Sequence, residues 1–169
     1  MPRRRRSQRS IYRPLKVAKY SNETFAAIST VPANDGTTPI PQYWITFTKA
    51  SDVLGTRKVK HFLLTISSNS EVPLIWALVF VPEGTHPSPL QQGNSIVDNY
   101  LLSASLYNPN QNVIMSGITG GINTQVERFK SNLSRNLNSG DKICLIVSSL
   151  DATYEAFTID STLNYAIAY

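Results

Sequence analysis

The sequence predicts an all-β fold: an eight-stranded antiparallel sandwich carried behind a basic N-terminal arm. Composition is the first observation behind this reading. Asn, Ser and Thr together number 46 of 169 residues, while charged residues are only 16%. That mixture suits strands, turns and loops, and leaves few of the Glu, Lys and Ala residues that exposed helix faces need. The second is punctuation, since ten prolines and eight glycines cut the chain into short β-prone runs. The third is the division of charge. Residues 1–20 hold Arg3, Arg4, Arg5, Arg6, Arg9, Arg13, Lys16 and Lys19 and no carboxylate, the first being Glu23. The remainder carries eight basic and eleven acidic residues, so a +8 arm precedes a body of formal charge −3.

Two domains are therefore expected, an arginine-rich arm over residues 1–20 and a folded body over 21–169. A block of like charge cannot pack against itself and is expected to stay disordered until a polyanion neutralises it. Nucleic acid fits, because each Lys or Arg placed on a phosphate releases condensed counterions. The arginine fork grips phosphate in two places and keeps its charge. Tyr12 and Tyr20 are interleaved with the charges and are suited to stack on unpaired bases. Nothing in the arm offers a rigid element to read base edges, so indifference to base sequence is expected. Arg3 to Arg6 also suit a nuclear import signal, a use compatible with the first.

The body yields eight candidate strands. Residues 24–31 form a short β-prone run ended by Pro32 and the turn residues Asn34, Asp35 and Gly36. Residues 43–49 alternate, with Tyr43, Ile45 and Phe47 on one face and Thr46 and Thr48 on the other, as in a strand covered on one side. Residues 58–68 and 74–81 follow. The second is apolar on both faces, which places it centrally in a sheet. Residues 82–112 form a long polar connection with four prolines, suited to contacts or function. Within it, residues 96–106 fit a short helix or a strand.

Residues 113–118 form a further strand closed by Gly120 and Gly121. Residues 125–133 and 142–148 read as a hairpin across the turn-rich 136–141 stretch. The last strand, 159–169, turns Ile159, Leu163, Tyr165, Ile167 and Tyr169 inward and Asp160, Thr162 and Asn164 outward. Eight such strands without a helical crossover argue for a two-sheet sandwich, of which the jelly roll is the eight-strand version.

Catalytic, metal and cofactor signatures are missing, so the expectation is a non-enzyme without cofactor or metal. His61, between Lys60 and Phe62, reads as a structural strand histidine, and His86 as a solvent-exposed loop residue. No His/Cys set has zinc spacing, and neither HExxH nor GxSxG occurs. Gly117 to Gly121 lacks the Lys-Ser/Thr of a phosphate loop. Cys144, the one cysteine, is flanked by Ile143, Leu145 and Ile146, which makes it a packed and inert thiol. It rules out an intrachain disulfide. The longest apolar run, 74–81, is too short to cross a bilayer. With no secretory h-region behind the arginines, a soluble intracellular chain is expected. A second basic set lies in the body: Arg57, Lys58 and Lys60 before one strand, and Arg128 and Lys130 on one face of another. If they share the surface that bears the arm, they extend a phosphate-binding floor.

An arginine-rich arm of about twenty residues ahead of a minimal eight-strand domain resembles the capsid proteins of small icosahedral viruses, above all the circovirus-like group with circular single-stranded DNA genomes. The local stretches that suggest it are Lys58-Val59-Lys60-His61-Phe62-Leu63-Leu64, Val81-Pro82-Glu83-Gly84-Thr85, Asn112-Val113-Ile114-Met115-Ser116-Gly117 and Arg135-Asn136-Leu137-Asn138-Ser139-Gly140-Asp141. The resemblance implies a jelly-roll subunit, sixty copies of which close a shell around a single-stranded genome, located in the virion and in the host nucleus during assembly. The partners it implies are copies of the chain itself, viral single-stranded DNA and the host import machinery. Satellite RNA virus capsids share this plan. Two other readings stay open: a nucleic-acid-binding β-barrel module with a basic import tail, and a carbohydrate-binding sandwich, for which Trp44 would start an aromatic platform.

Overall fold

The computed structural model describes residues 20–37, 42–47, 56–84, 112–120 and 126–168. Residues 1–19 of the arm, the 96–106 stretch, His86 and Tyr169 lie outside them. Every described element is a strand: β1 (Tyr20–Val31), β2 (Asn34–Asp35), β3 (Gln42–Thr46), β4 (Arg57–Ser68), β5 (Leu74–Val81), β6 (Asn112–Thr119), β7 (Glu127–Leu137), β8 (Lys142–Ser149), β9 (Thr153–Tyr154) and β10 (Phe157–Ala168). The two-residue strands β2 and β9 pair only with each other. The other eight build two four-stranded antiparallel sheets, in the orders β1-β10-β4-β7 and β3-β8-β5-β6.

Counting the eight long strands along the chain, one sheet takes the first, eighth, third and sixth, and the other the second, seventh, fourth and fifth. This is the double Greek key of a jelly roll. Only β5 and β6 are both consecutive and paired. Every other connection between long strands crosses from one sheet to the other.

That pattern overturns the expected hairpin between 125–133 and 142–148. β7 pairs with β4, while β8 lies between β3 and β5, so the turn at Asn138 to Asp141 changes layers. Burial gives the reason. β8 is buried from Ile143 to Ser149 and needs neighbours on both edges and cover on both faces. β7 alternates exposed with half-buried residues and suits an edge position. A turn signal marks a reversal of direction without saying which sheet receives the returning strand.

The strand periodicities explain the core. In β10, Phe157, Ile159, Leu163, Tyr165 and Ile167 point inward, while Asp160 is exposed. β3 alternates as its sequence predicts, with Ile45 buried and Trp44 exposed on the other face. The facing residues Phe62, Leu64, Trp76, Leu78, Leu145, Ile159 and Leu163 form the main core, each at most 1% exposed. β5 is buried along its whole length because its alternate residues Ala77, Val79 and Val81 join Cys144 and Ile146 in a second apolar cluster.

β1 begins at Tyr20, earlier than the expected start at residue 24 and one residue inside the expected arm. Its whole length pairs with β10, from Tyr20 opposite Ala168 to Val31 opposite Phe157. Twelve backbone pairings outweigh the low β-propensity of Ser21 and Asn22.

Candidate nucleic-acid interface

The outer face of the β1-β10-β4-β7 sheet is assembled by register, because residues opposite one another on paired strands project to the same side. The row nearest the start of β1 contains Tyr20, Ala168, Lys58 and Asn136. Next come Asn22, Ala166, Lys60 and Ser134, then Thr24, Asn164, Leu63 and Lys130, then Ala26, Thr162, Thr65 and Arg128. Lys58, Lys60, Lys130 and Arg128 thus share one face although 67 residues of chain lie between Lys60 and Arg128. None of these four rows holds a carboxylate; Asp160 stands one row beyond Arg128, opposite Ile28 and Ser67.

Lys60 and Tyr20 are two strands apart, yet the ammonium Nζ stands 3.6 Å from the centre of the Tyr20 ring. They can meet because β10 presents only Ala166 and Ala168 between them. A lysine over a tyrosine face is held by the ring quadrupole. The arginine-rich segment, residues 1–19, joins the folded body at this Tyr20, in the most cationic corner of the face. Thr24 ties the same face together by donating its hydroxyl to Asn164 Oδ1 at 2.5 Å.

Arg57 does not join this group. It pairs with Leu137, on the side of Val59, and so projects at the open end of the sandwich beside Tyr165. Burial, with the Glu23 carboxylate second and Arg57 opposing, pushes the Tyr165 phenol up to about 12. Arg3, Arg4, Arg5, Arg6, Arg9, Arg13, Lys16 and Lys19 lie outside the described residues.

His61, read from the sequence as a structural strand histidine, stands at an irregularity in β4. This residue interrupts the ladders on both sides of β4, where the register slips between Lys60 and Phe62 against β7 and between Asn164 and Ala166 against β10. Its φ is 56°, the only positive value at a non-glycine among the described residues. Phe62 beside it is 1% exposed, whereas His61 is exposed. β4 is an interior strand with a sealed core behind it, so the imidazole stands on the cationic face. The signal was in the spacing. Buried Val59 and Phe62 are three residues apart instead of two, as an inserted residue requires.

The opposite end of the sandwich is acidic. Asp35 in β2, Glu71 between β4 and β5, Asp151 and Glu155 flanking β9, and Asp160 in β10 all lie there. Beyond the row of Arg128, no lysine or arginine occurs among the described residues. An open hollow of about 330 Å³ at this end is lined by Glu71 and Glu155 together with Asn69, Tyr154 and Phe157. The Asp35 carboxyl is held below its ordinary range by hydrogen bonds from the hydroxyl and backbone N–H of Thr37. The outer face thus carries its cations between the Tyr20 row and the Arg128 row, with Asp160 beyond them.

The two carboxylate oxygens of Asp141 accept the backbone N–H groups of Glu83 and Asn138 at 3.0 and 2.6 Å. No group of three or more His, Cys, Asp or Glu side chains is placed to share a metal ion among the described residues. Cys144 is 2% exposed, and burial pushes its thiol above the ordinary range. No family model and no curated protein sequence matches the chain.

Proposed function

We propose that this chain is the structural subunit of a small icosahedral viral shell that packages a single-stranded genome. The observation that carries the reading is the placement of four cations, Lys58, Lys60, Arg128 and Lys130, on the outer face of one jelly-roll sheet, with Lys58 and Lys60 at the end where a segment of eight basic residues enters. A closed symmetric assembly of such subunits gathers every basic segment on one side of the shell. Sixty of them bring roughly 480 positive charges, each able to neutralise about one phosphate. The acidic end keeps the genome off the opposite pole of the subunit. Attraction between the basic surface and the genome drives packaging, and contacts between sandwiches fix the geometry. The Arg3 to Arg6 run doubles as an import signal for assembly in the nucleus.

Negative-stain imaging and size-exclusion chromatography of the purified chain test this. Closed particles of uniform diameter, on the order of a megadalton for sixty chains of 18.8 kDa and carrying nucleic acid, are expected. A species of one or two chains that still carries nucleic acid would overturn the shell and identify a nucleic-acid-binding module instead.

A further inference from the structure

We infer that His61 is a base-stacking residue and that the cationic sheet face selects single-stranded over duplex nucleic acid. This deepens the preceding reading and rests on its claim that the face binds a polyanion.

A left-handed residue in the middle of an interior strand carries strain, and glycine or asparagine would occupy the bulge at less cost. Here the position holds an aromatic ring, which the bulge lifts out of the ladder onto the exposed face. Bulges that re-aim a side chain recur at binding sites. The surroundings say what kind of ligand the ring meets. Lys60 precedes it in sequence, Lys58 lies one row to one side, and Lys130 one row to the other. Tyr20, 44% exposed, stands two strands away in the row of Lys58.

Rings set among phosphate-binding cations match the chemistry of unpaired strands, whose bases offer open π faces while the backbone follows the charges. A duplex buries those faces in its own stack and gains only the electrostatic term. The shared chemistry covers single-stranded DNA and RNA.

The test uses the intact chain and three probes of equal length: an oligothymidylate strand, an abasic strand with the same phosphates, and a duplex. Oligouridylate in place of oligothymidylate separates RNA from DNA preference. The wild-type chain should bind the oligothymidylate more tightly than the abasic strand. His61→Asn, which tolerates left-handed backbone, should weaken oligothymidylate binding by about five- to 150-fold and leave abasic and duplex binding unchanged. His61→Gly, which relieves the strain, should do the same, so misfolding is not the cause. Equal loss on all three probes, or no loss on oligothymidylate, overturns the stacking role. A quadruple variant, K58Q/K60Q/R128Q/K130Q, should lose affinity for all three. If it binds like wild type, the polyanion face itself is refuted, an outcome distinct from failure at His61 alone.

Discussion

Oδ1 of Asp141 accepts the backbone N–H of Glu83 at 3.0 Å, joining the turn that leaves β5 to the turn that enters β8. The second oxygen, Oδ2, takes the N–H of Asn138 at 2.6 Å and so closes the 138–141 turn on itself. Asp141 is 7% exposed. A buried carboxylate that takes two backbone donors fixes the place where the chain leaves the cationic sheet for the other one. Hydrogen bonds to a charged group contribute about 1.5–3 kcal/mol each, and loss of the acceptor also strands the donors.

Asp141→Ala should therefore lower stability by about 2–4 kcal/mol. Urea unfolding followed by tryptophan fluorescence would report this as a lower midpoint. Asp141→Asn, which keeps one acceptor oxygen, should fall between the two. An unchanged midpoint for Asp141→Ala would remove the clasp from the account of the fold.

Gly117 lies against the indole of Trp76. A Cβ added there would stand 2.8 Å from Cζ2, and Trp76 is 1% exposed with Phe129 packed on it at 4.4 Å between ring centres. The ring has no room to retreat, so Gly117→Ala should cost about 1–3 kcal/mol and shift the tryptophan emission. At Gly84 nothing lies within 4 Å of the added carbon, although φ is +73°, so Gly84→Ala isolates the backbone cost. Equal losses from the two variants would contradict steric conflict at Trp76.

Single charge removals on the cationic face should act uniformly across sequences. Lys58→Gln or Lys130→Gln is expected to weaken binding to oligonucleotides of any base composition. Each should also reduce the slope of log K against log salt by about one. Removal of residues 1–19 should leave a folded domain that has lost most of its co-purifying nucleic acid. Undiminished nucleic acid content in that truncated chain would refute the role given to the segment.

Two buried phenols set an alkaline limit. Tyr165 and Tyr154 are 5% and 6% exposed. Burial, reinforced by Glu23 at one and by Tyr43 at the other, pushes each up to about 12 from an ordinary 10. An acid whose pKa is raised in the fold favours the fold fully below the unfolded value. That contribution is lost as pH climbs through the folded value. Stability should thus be insensitive to these groups below pH 10 and decline between 10 and 12. Absorbance at the tyrosinate wavelength should show late-titrating phenols, and Tyr165→Phe should flatten the decline. Titration of every tyrosine near 10 would exclude this.

Much of the fold is legible in the chain because side-chain period reports exposure. The alternation of Tyr43 to Phe47 and of Ile159 to Ile167 places each residue on the face it occupies. The unbroken apolar run from Leu74 to Val81 locates an interior strand covered on both sides. The burial of Cys144 likewise follows from its neighbours. The two local irregularities are harder to see. His61 breaks the period by a single residue, and the early start of β1 at Tyr20 has no hydrophobic mark at all.

By itself, then, the sequence determined the all-β class, the approximate extent of the strands and the segregation of eight basic residues ahead of a mildly acidic body. Tertiary structure alone decided that β7 pairs with β4 instead of β8, that Lys58 and Lys60 share a face with Arg128 and Lys130 while Arg57 does not, and that Asp35, Glu71, Asp151, Glu155 and Asp160 come together at the far end. The reason is that side-chain pattern is local, whereas sheets are joined through backbone groups that every residue but proline carries alike. Which strands meet is settled only when the whole set of apolar faces is buried at once.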